Sequence, residues 1–160
     1  MTQRIVVQSM IAIGAVMLLA FFKVSGCFNR APQGGLPTAQ MKIGEKTFDI
    51  EIANTQEQRM TGLMRRDSMP SDHGMIFVFR TERDWSFYMK NTRFPLDLLF
   101  VDGGGTIRSI HKLKPYDLSS VTSDVPVKYA IELNEGAARK VGAKVGDKLV
   151  IPKEAQEAKD

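Results

Sequence analysis

The chain has 160 residues, and 43% of them are hydrophobic, which is enough apolar material for one folded core and excludes a wholly disordered protein. Its one cysteine excludes an internal disulfide framework and a multi-cysteine zinc site. Residues 1–26 contain Arg4 and Lys23 but no acidic residue, so the formal charge of +4 falls to +2 for a chain that starts at Cys27. So small a net charge does not favour a nucleic-acid partner.

Residues 1–26 have the pattern of a signal peptide or membrane anchor. Arg4 precedes an uncharged apolar stretch from Met10 to Phe22, which is typical of a secretory signal. The sequence Val24-Ser25-Gly26-Cys27 then resembles the lipobox of bacterial lipoproteins. This resemblance implies cleavage before Cys27 and attachment of a diacylglycerol to its sulfur. Two acyl chains can anchor a protein stably, because each buried methylene contributes about 0.8 kcal/mol.

Two other outcomes stay open for this segment. A plain signal peptide cut nearby would leave a soluble secreted protein, whereas the stretch from Ile5 to Phe22 is just long enough to remain as one membrane-spanning anchor. All three outcomes place the folded part outside the cytoplasm. We therefore expect it in the cell envelope, on the periplasmic side of a membrane, held there by a lipid or by a single N-terminal span.

The rest of the chain divides into a linker, one domain and a tail. Residues 27–40 contain two prolines and a Gly-Gly pair with almost no charge, which predicts a flexible linker. Residues 41–152 form the predicted β-rich domain, and residues 153–160 a polar tail. Alternating apolar residues predict a hairpin of strands at 41–43 and 48–52, and then strands at 74–79, 86–89, 96–101, 106–111, 127–133 and 148–151.

Two short helices interrupt the predicted strands. Thr55-Gln56-Glu57-Gln58 is a capping box that predicts a helix ending near Gly62. Asn134 is the predicted cap of a second helix, which ends at Gly142. The protein is therefore predicted to be mainly β, and strands this short and closely spaced favour a sandwich or a small barrel.

The predicted domain carries an ordered series of motifs. They are Thr61-Gly62-Leu63-Met64-Arg65, Asp72-His73-Gly74-Met75-Ile76-Phe77-Val78-Phe79, Phe87-Tyr88-Met89-Lys90-Asn91-Thr92, Pro95-Leu96-Asp97-Leu98-Leu99-Phe100-Val101-Asp102, Ile131-Glu132-Leu133-Asn134-Glu135-Gly136 and Gly142-Ala143-Lys144-Val145-Gly146-Asp147. The series closely resembles the bacterial and archaeal family catalogued as domain of unknown function 192. The resemblance implies a compact antiparallel β-barrel or jelly-roll-like sandwich with two short helices, frequently exported, and it brings no established activity. Tyr88 stands where the family usually has tryptophan.

Two carboxylates stand among the apolar residues of predicted strands. Asp97 and Glu132 both have apolar neighbours on either side, and each needs a partner or a cavity because an unpaired buried carboxylate costs several kcal/mol. A cation, an amide and a hydroxyl precede Asp97 in the sequence, at Lys90, Asn91 and Thr92. These five residues are the predicted ligand-binding site. The alternative is a structural ion pair with hydrogen bonds that stabilise the turn.

Arginines at the end of the first predicted helix supply a sixth candidate. Arg59, Arg65 and Arg66 flank this end, and guanidinium groups bind carboxylates and phosphates bidentately. We assign Arg65 to the predicted ligand site, while a solvated charged face is the alternative explanation of the cluster.

Methionine is concentrated in one part of the chain. Five of the nine methionines lie between Met60 and Met89, with His73 among them. Outside the cytoplasm, thioether and imidazole ligands suit Cu(I), so one alternative function is a periplasmic copper-binding protein with the ligands Met64, His73, Met75 and Met89. The simpler interpretation is that methionine fills irregular gaps in the core. Under it we expect no metal and no other cofactor.

The sequence leaves catalysis open. It has no Gly-x-Ser-x-Gly elbow, phosphate loop or metalloprotease motif. A hydrolase in which Asp97 and Glu132 act as an acid–base pair is the second alternative. We predict an exported, envelope-anchored β-domain that binds a small molecule or an envelope protein, contacts the membrane through its N-terminal lipid or helix, and binds no nucleic acid.

Overall fold

The computed structural model describes residues 35–159. The predicted signal peptide or anchor, the lipobox with Cys27, and the predicted linker as far as residue 34 lie outside the described residues. In the described part of the chain, no helix combines the length and the apolar character that crossing a membrane requires.

Residues 35–159 form a six-stranded sheet and a separate two-stranded ribbon. The strands are β1 Thr38–Ile43, β2 Lys46–Ala53, β3 His73–Arg83, β4 Ser86–Phe87, β5 Leu96–Val101, β6 Ile107–Leu113, β7 Val121–Thr122 and β8 Val127–Asn134. The sheet has the order β1-β2-β3-β8-β5-β6, and β4 pairs with β7 in the ribbon.

One neighbouring pair in the sheet is parallel. β1 and β2 form an antiparallel hairpin around Gly44, whose φ of 56° glycine adopts without steric cost. β2 and β3, in contrast, run parallel. A tight turn cannot join parallel strands, so the chain crosses over between Ala53 and His73 and forms helix α1, Gln56–Thr61, on the way. We call residues 54–72 the crossover.

The sheet is buried on both faces, and each face has its own core. All six residues of β5 are buried. Because alternate residues of a strand point to opposite faces, Leu99 and Val101 belong to the first core, and Leu98 and Phe100 to the second. The first core also contains Ala138 and the C-terminal residues Leu149 and Ala155, whereas the second contains Leu63 and Met69 of the crossover.

Helix α1 begins as its capping box predicts. The Thr55 hydroxyl accepts a hydrogen bond from the Gln58 backbone N–H, and the Gln58 side chain accepts one from the Thr55 N–H. The second helix, α2 Ala137–Lys140, is preceded by Gly136 in the left-handed conformation, so the prediction of Asn134 as its cap is wrong. Asn134 ends β8 instead, and its amide donates to the carbonyl oxygens of Met69 and Pro70 in the crossover.

The ends of the folded part differ from the predicted bounds. β1 begins at Thr38, within the predicted linker, because Thr38 is paired with Glu51 of β2. The segment predicted as a strand at 148–151 contributes only an isolated bridge between Thr106 and Lys148. Within the predicted polar tail, residues Lys153–Ala155 form a 3-10 turn whose Ala155 is buried in the first core.

The mainly β class with two short helices is confirmed. The six-stranded sheet does not close on itself, so the fold is an open sheet covered on both faces and not a barrel. The parallel pair β2–β3 also departs from the antiparallel arrangement that the family resemblance implies. Side chains alternate between the two faces of a sheet in parallel and antiparallel strands alike. The pattern of apolar residues therefore does not reveal that β2 and β3 run parallel.

Candidate functional site

A cavity of about 610 Å³ lies on the second-core face of the sheet. Residues of α1, the end of β3 and strand β4 surround it. The lining residues Leu63, Phe77, Phe79, Thr92 and Glu132 are buried and form its inner part, whereas Met60 and Tyr88 are 68% and 48% exposed and form its rim. A cavity of this volume can hold a small molecule.

A buried ion pair holds the crossover over this face. Arg66 Nη1 and Nη2 donate to the two carboxylate oxygens of Glu51 on β2, at 2.5 and 2.8 Å. Glu51 is 1% exposed, and a bidentate pair of this kind fixes both position and orientation. Because Arg66 follows α1 closely in the chain, the pair also fixes the cavity-lining residues Leu63 and Met64.

Glu132 stands in the middle of a row of residues that crosses the sheet. The pairing places Glu51, Met75, Glu132, Leu98 and His111 side by side on β2, β3, β8, β5 and β6. Paired residues share a face, so all five point to the second-core side. The residues beside Glu132 in this row, Met75 and Leu98, are both apolar. Within residues 35–159, the Glu132 carboxyl group takes part in no hydrogen bond, although it is only 6% exposed.

Burial changes the protonation of Glu132. Loss of solvent raises the pKa of its carboxyl group from 4.5 to about 8, and the positive charge of Arg66 opposes part of this rise. At neutral pH most molecules therefore carry a protonated Glu132. A protonated carboxyl group can donate one O–H hydrogen bond, and Glu132 lines the cavity.

A stack of aromatic and guanidinium groups forms one wall of the cavity. The rings of Phe79 and Trp85 are parallel within 15°, and their centroids are 3.9 Å apart. The Arg83 guanidinium lies over Trp85 at 3.8 Å, and that of Arg59 over Phe79 at 5.7 Å. Such cation–π contacts hold arginines against the wall, and Arg59 Nη1 also donates to the carbonyl oxygen of Val78 at 2.9 Å. The indole N–H of Trp85 is buried and lacks an acceptor in the described chain.

The charged groups that line the cavity are mostly positive. The positive groups are Arg59, Arg80 and Arg83, and the acidic group is the carboxyl of Glu132. Since Glu132 is mostly neutral below its pKa of about 8, the lining carries a net positive charge at neutral pH. Arginine binds carboxylate, phosphate and sulfonate groups well. The cavity is therefore suited to a molecule that combines an apolar body with an anionic group.

The structure separates the residues of the predicted ligand site. Thr92 and Glu132 line the cavity. Arg65 lines an adjacent depression of about 580 Å³ beside α1, and its N–H donates to the carbonyl oxygen of Asn91 at 2.8 Å. Lys90 and Asn91 are exposed and line neither space. The three arginines of the sequence cluster also separate, because Arg59 lies in the wall and Arg66 in the ion pair.

Asp97 lies on the other face of the sheet. It is paired with Leu133, the neighbour of Glu132, and therefore points into the first-core side. Its Oδ2 accepts a hydrogen bond of 3.0 Å from the Ala138 N–H of α2, and no ion pair in the described chain joins it to Lys90. Asp97 and Glu132 do not face a common space, so the hydrolase alternative has no acid–base pair in this structure.

The methionines of the copper alternative lie mainly in packed surroundings. Met75 and Met89 are buried in the second core, and Met64 lines the cavity. His73 Nδ1 lies 2.9 Å from Asp72 Oδ1, and with Asp49 these side chains place three donor atoms within 4.8 Å of one another. This group could hold a metal ion, but its carboxylate oxygens suit harder cations than Cu(I).

Sequence reasoning missed the aromatic wall. Four aromatic residues recur at odd-numbered positions of this segment: Phe77 and Phe79 lie on β3, Trp85 in the two-residue connection, and Phe87 on β4. This repetition, and the arginines at positions 80 and 83, could have indicated a binding face. Which of these side chains contact one another depends on tertiary packing, and the recurrence of aromatic residues in the sequence does not reveal it.

The relation of the chain to known proteins follows from a family model. The model described as DUF192, uncharacterized ACR, matches residues 39–151, which include the whole cavity lining. The chain belongs to the DUF192 family. The resemblance stated from the sequence motifs is thereby confirmed.

Two solved structures are similar to this DUF192 domain. One is a protein from Sinorhizobium meliloti 1021 described as a candidate transcription regulator, with 38% identity, a TM-score of 0.66, and coverage of 69% of this chain and 89% of that chain. The other is a protein of unknown function from Novosphingobium aromaticivorans DSM 12444, with 31% identity, a TM-score of 0.71, and coverage of 75% and 89% respectively. No curated protein is similar enough to this chain to count as a match.

Proposed function

We propose that this DUF192 protein is an exported, envelope-anchored module that binds a small molecule with an apolar body and an anionic group. The observation that carries the proposal is the cavity itself, in which a buried carboxyl group that has no hydrogen-bond partner among residues 35–159 stands behind an aromatic wall and three arginines. A concave apolar site with a few convergent polar groups is the usual form of a small-molecule site.

The energetics of Glu132 support a binding role over a purely structural one. A buried polar group left without a hydrogen bond costs roughly 1–3 kcal/mol, and an apolar residue at this position of β8 would avoid that cost. Positions that break the rules of core packing are expected chiefly at functional sites. Glu132 breaks them at the inner end of a cavity, where a ligand can supply the missing hydrogen bond.

The binding site can be tested with the intrinsic fluorescence of the protein. Trp85 is the one tryptophan of the chain and lies in the cavity wall, so a bound aromatic anion should quench it. We expect saturable quenching of the purified full chain by anilinonaphthalene sulfonate, whose ring system and sulfonate match the cavity. Quenching of Trp85 reports the protein-bound probe even when a detergent also takes up the probe.

A matched pair of variants locates the probe. Met60 and Val150 are both exposed apolar residues, but only Met60 is at the cavity. Met60→Glu adds a negative charge at the rim and should weaken binding about fivefold, as one like charge at short range does. Val150→Glu makes the same charge change elsewhere and should leave binding unchanged. Absence of saturable quenching, or equal weakening in both variants, would contradict the proposed function.

For the anchor we propose a lipid on Cys27, supported by the lipobox Val24-Ser25-Gly26-Cys27 and its apolar leader. Metabolic labelling with a palmitate analogue should tag the natural chain and not Cys27→Ser. Equal labelling of both, or of neither, would show that the lipid anchor is wrong. An intact mass that still includes residues 1–26 would instead support a retained membrane span.

A further inference from the structure

The unpartnered carboxyl group of Glu132 indicates which part of a ligand enters the cavity most deeply. We propose that protonated Glu132 donates a hydrogen bond to an uncharged acceptor of the ligand, such as a carbonyl oxygen, while the ligand's anionic group stays with the arginines. This inference rests on the proposed function, and it adds the chemistry of the second end of the ligand.

In the described part of the chain, the surroundings of Glu132 provide no hydrogen-bond partner for its carboxyl group. The paired residues on the neighbouring strands are Met75 and Leu98, and neither can accept a hydrogen bond of ordinary strength. The side chain is 6% exposed and lines the cavity. A ligand that satisfies this carboxyl group must therefore reach it through the cavity.

The charges around Glu132 decide between an acceptor and a cation as the ligand's inner group. Arg66 lies close enough to act on Glu132, and it is already paired with Glu51. His111 lies two strands away from Glu132 in the row across the sheet. Three more arginines line the same cavity. An ammonium group that entered this positive surrounding would be repelled, which disfavours an ion pair with ionised Glu132.

The protonation of Glu132 agrees with this choice. Its pKa of about 8 leaves the group mostly protonated at neutral pH, and therefore able to donate. A ligand acceptor would satisfy the O–H without bringing a second charge into the core. The predicted ligand class is thus an elongated molecule with an anionic group at one end, an apolar or aromatic body, and a neutral hydrogen-bond acceptor at the other end.

Three matched probes test this class. Each is a naphthoate with one further substituent at the ring position far from the carboxylate, and the substituents are acetyl, ethyl and aminomethyl. The acetyl probe offers a neutral acceptor, the ethyl probe has the same shape without it, and the aminomethyl probe places an ammonium there. Calorimetric titration of the full chain at mildly acidic pH should show about tenfold tighter binding of the acetyl probe than of the ethyl probe. The aminomethyl probe should bind most weakly.

Two variants and a change of pH assign the preference to Glu132. In the natural chain the ratio between acetyl and ethyl binding should fall toward one as the pH rises above about 8, because the donor loses its proton. Glu132→Gln keeps a donor that does not titrate, so the ratio should stay above one at every pH. Glu132→Met removes the donor but keeps a side chain of similar size, so the ratio between acetyl and ethyl binding should fall to about one. An unchanged wavelength of maximum Trp85 emission, compared with that of the urea-unfolded chain, checks that each variant folds.

The results that overturn the inference differ from those that overturn the proposed function. Equal binding of the acetyl and ethyl probes, tightest binding of the aminomethyl probe, or a preference unchanged in Glu132→Met would each refute the acceptor. If one of these results is found while anilinonaphthalene sulfonate still quenches Trp85, the acceptor is refuted and the proposed binding function stands. Absence of binding by all four probes would overturn both.

Discussion

Glu132 is the residue at which the fold departs most clearly from ordinary core packing. Its carboxyl group has a pKa of about 8 in the folded chain, compared with 4.5 ordinarily. The folded state therefore holds this proton more tightly than the unfolded state, and the free energy of unfolding must fall as the pH rises between these two values. Below about pH 4.5 both states are protonated at this site, and above about pH 8 both are ionised, so its contribution becomes constant.

This linkage gives a prediction for the isolated protein. Between about pH 5 and about pH 8, the Glu132 contribution should lower the free energy of unfolding by up to about 1.4 kcal/mol per pH unit. Glu132→Gln should remove this contribution, and urea unfolding at several pH values measures the difference between the two proteins. Glu45→Gln, a change at an exposed glutamate, is the control and should leave the pH dependence as it is. An unchanged slope in Glu132→Gln would contradict a buried carboxyl group whose pKa is raised by loss of solvent.

The sequence indicated correctly that Asp97 and Glu132 are buried, but it could not assign them to one site. Both lie in apolar strands, and this pattern is enough to predict burial. Which face each one occupies depends on the register of β5 against β8, where Asp97 is paired with Leu133 and Glu132 with Leu98. A shift of one residue reverses the faces of a strand, and register is fixed by contacts that are distant in the sequence.

Helix α2 takes its N-terminal hydrogen bond from a neighbouring strand. It has four residues, and no side chain at its own start caps it. Asp97 of β5 accepts from the Ala138 N–H instead, and both residues are buried. This tertiary hydrogen bond thus replaces a local cap.

The role of Asp97 predicts a graded effect on stability. Asp97→Ala leaves the Ala138 N–H without an acceptor and should lower the free energy of unfolding by about 1–3 kcal/mol, whereas Asp97→Asn keeps an oxygen there and should cost about 1 kcal/mol or less. Urea unfolding measures the free energies of unfolding of the two variants and of the natural chain. Adding Lys90→Met to either variant should give additive effects, because Lys90 is exposed and has no contact with Asp97. Rescue of stability in the double variant would instead reveal an ion pair.

A helix or strand was predictable from the sequence where neighbouring residues alone determine it. The Thr55–Gln58 capping box placed α1, and alternating apolar residues placed the first hairpin. Asn134 has the composition of a helix cap but belongs to β8, since its amide is engaged by the crossover. The two residues of β7 escaped prediction because a pairing of that length, with Ser86 and Phe87 as partners, leaves no periodic pattern.

The whole molecule is a sheet between two unequal covers. One face is closed by α2 and the C-terminal residues, and the other is covered by the crossover and the β4 region, which leave the cavity between them. The family resemblance predicted a mainly β fold, and this was sufficient for the class. The cavity was not predictable in the same way, because its lining comes from segments around residues 60, 80 and 132 that meet only in the folded chain.

Mapping a bound probe on the whole chain decides whether this cavity is the binding site. Amide chemical shifts should be measured by nuclear magnetic resonance while the acetyl naphthoate is titrated into the purified protein. We predict saturable shifts at residues 56–64, 77–88 and around Glu132, with α2 and the first-core segment at 141–151 unchanged. Saturable shifts confined to α2 or that segment, or no shifts at a saturating probe concentration, would contradict the account.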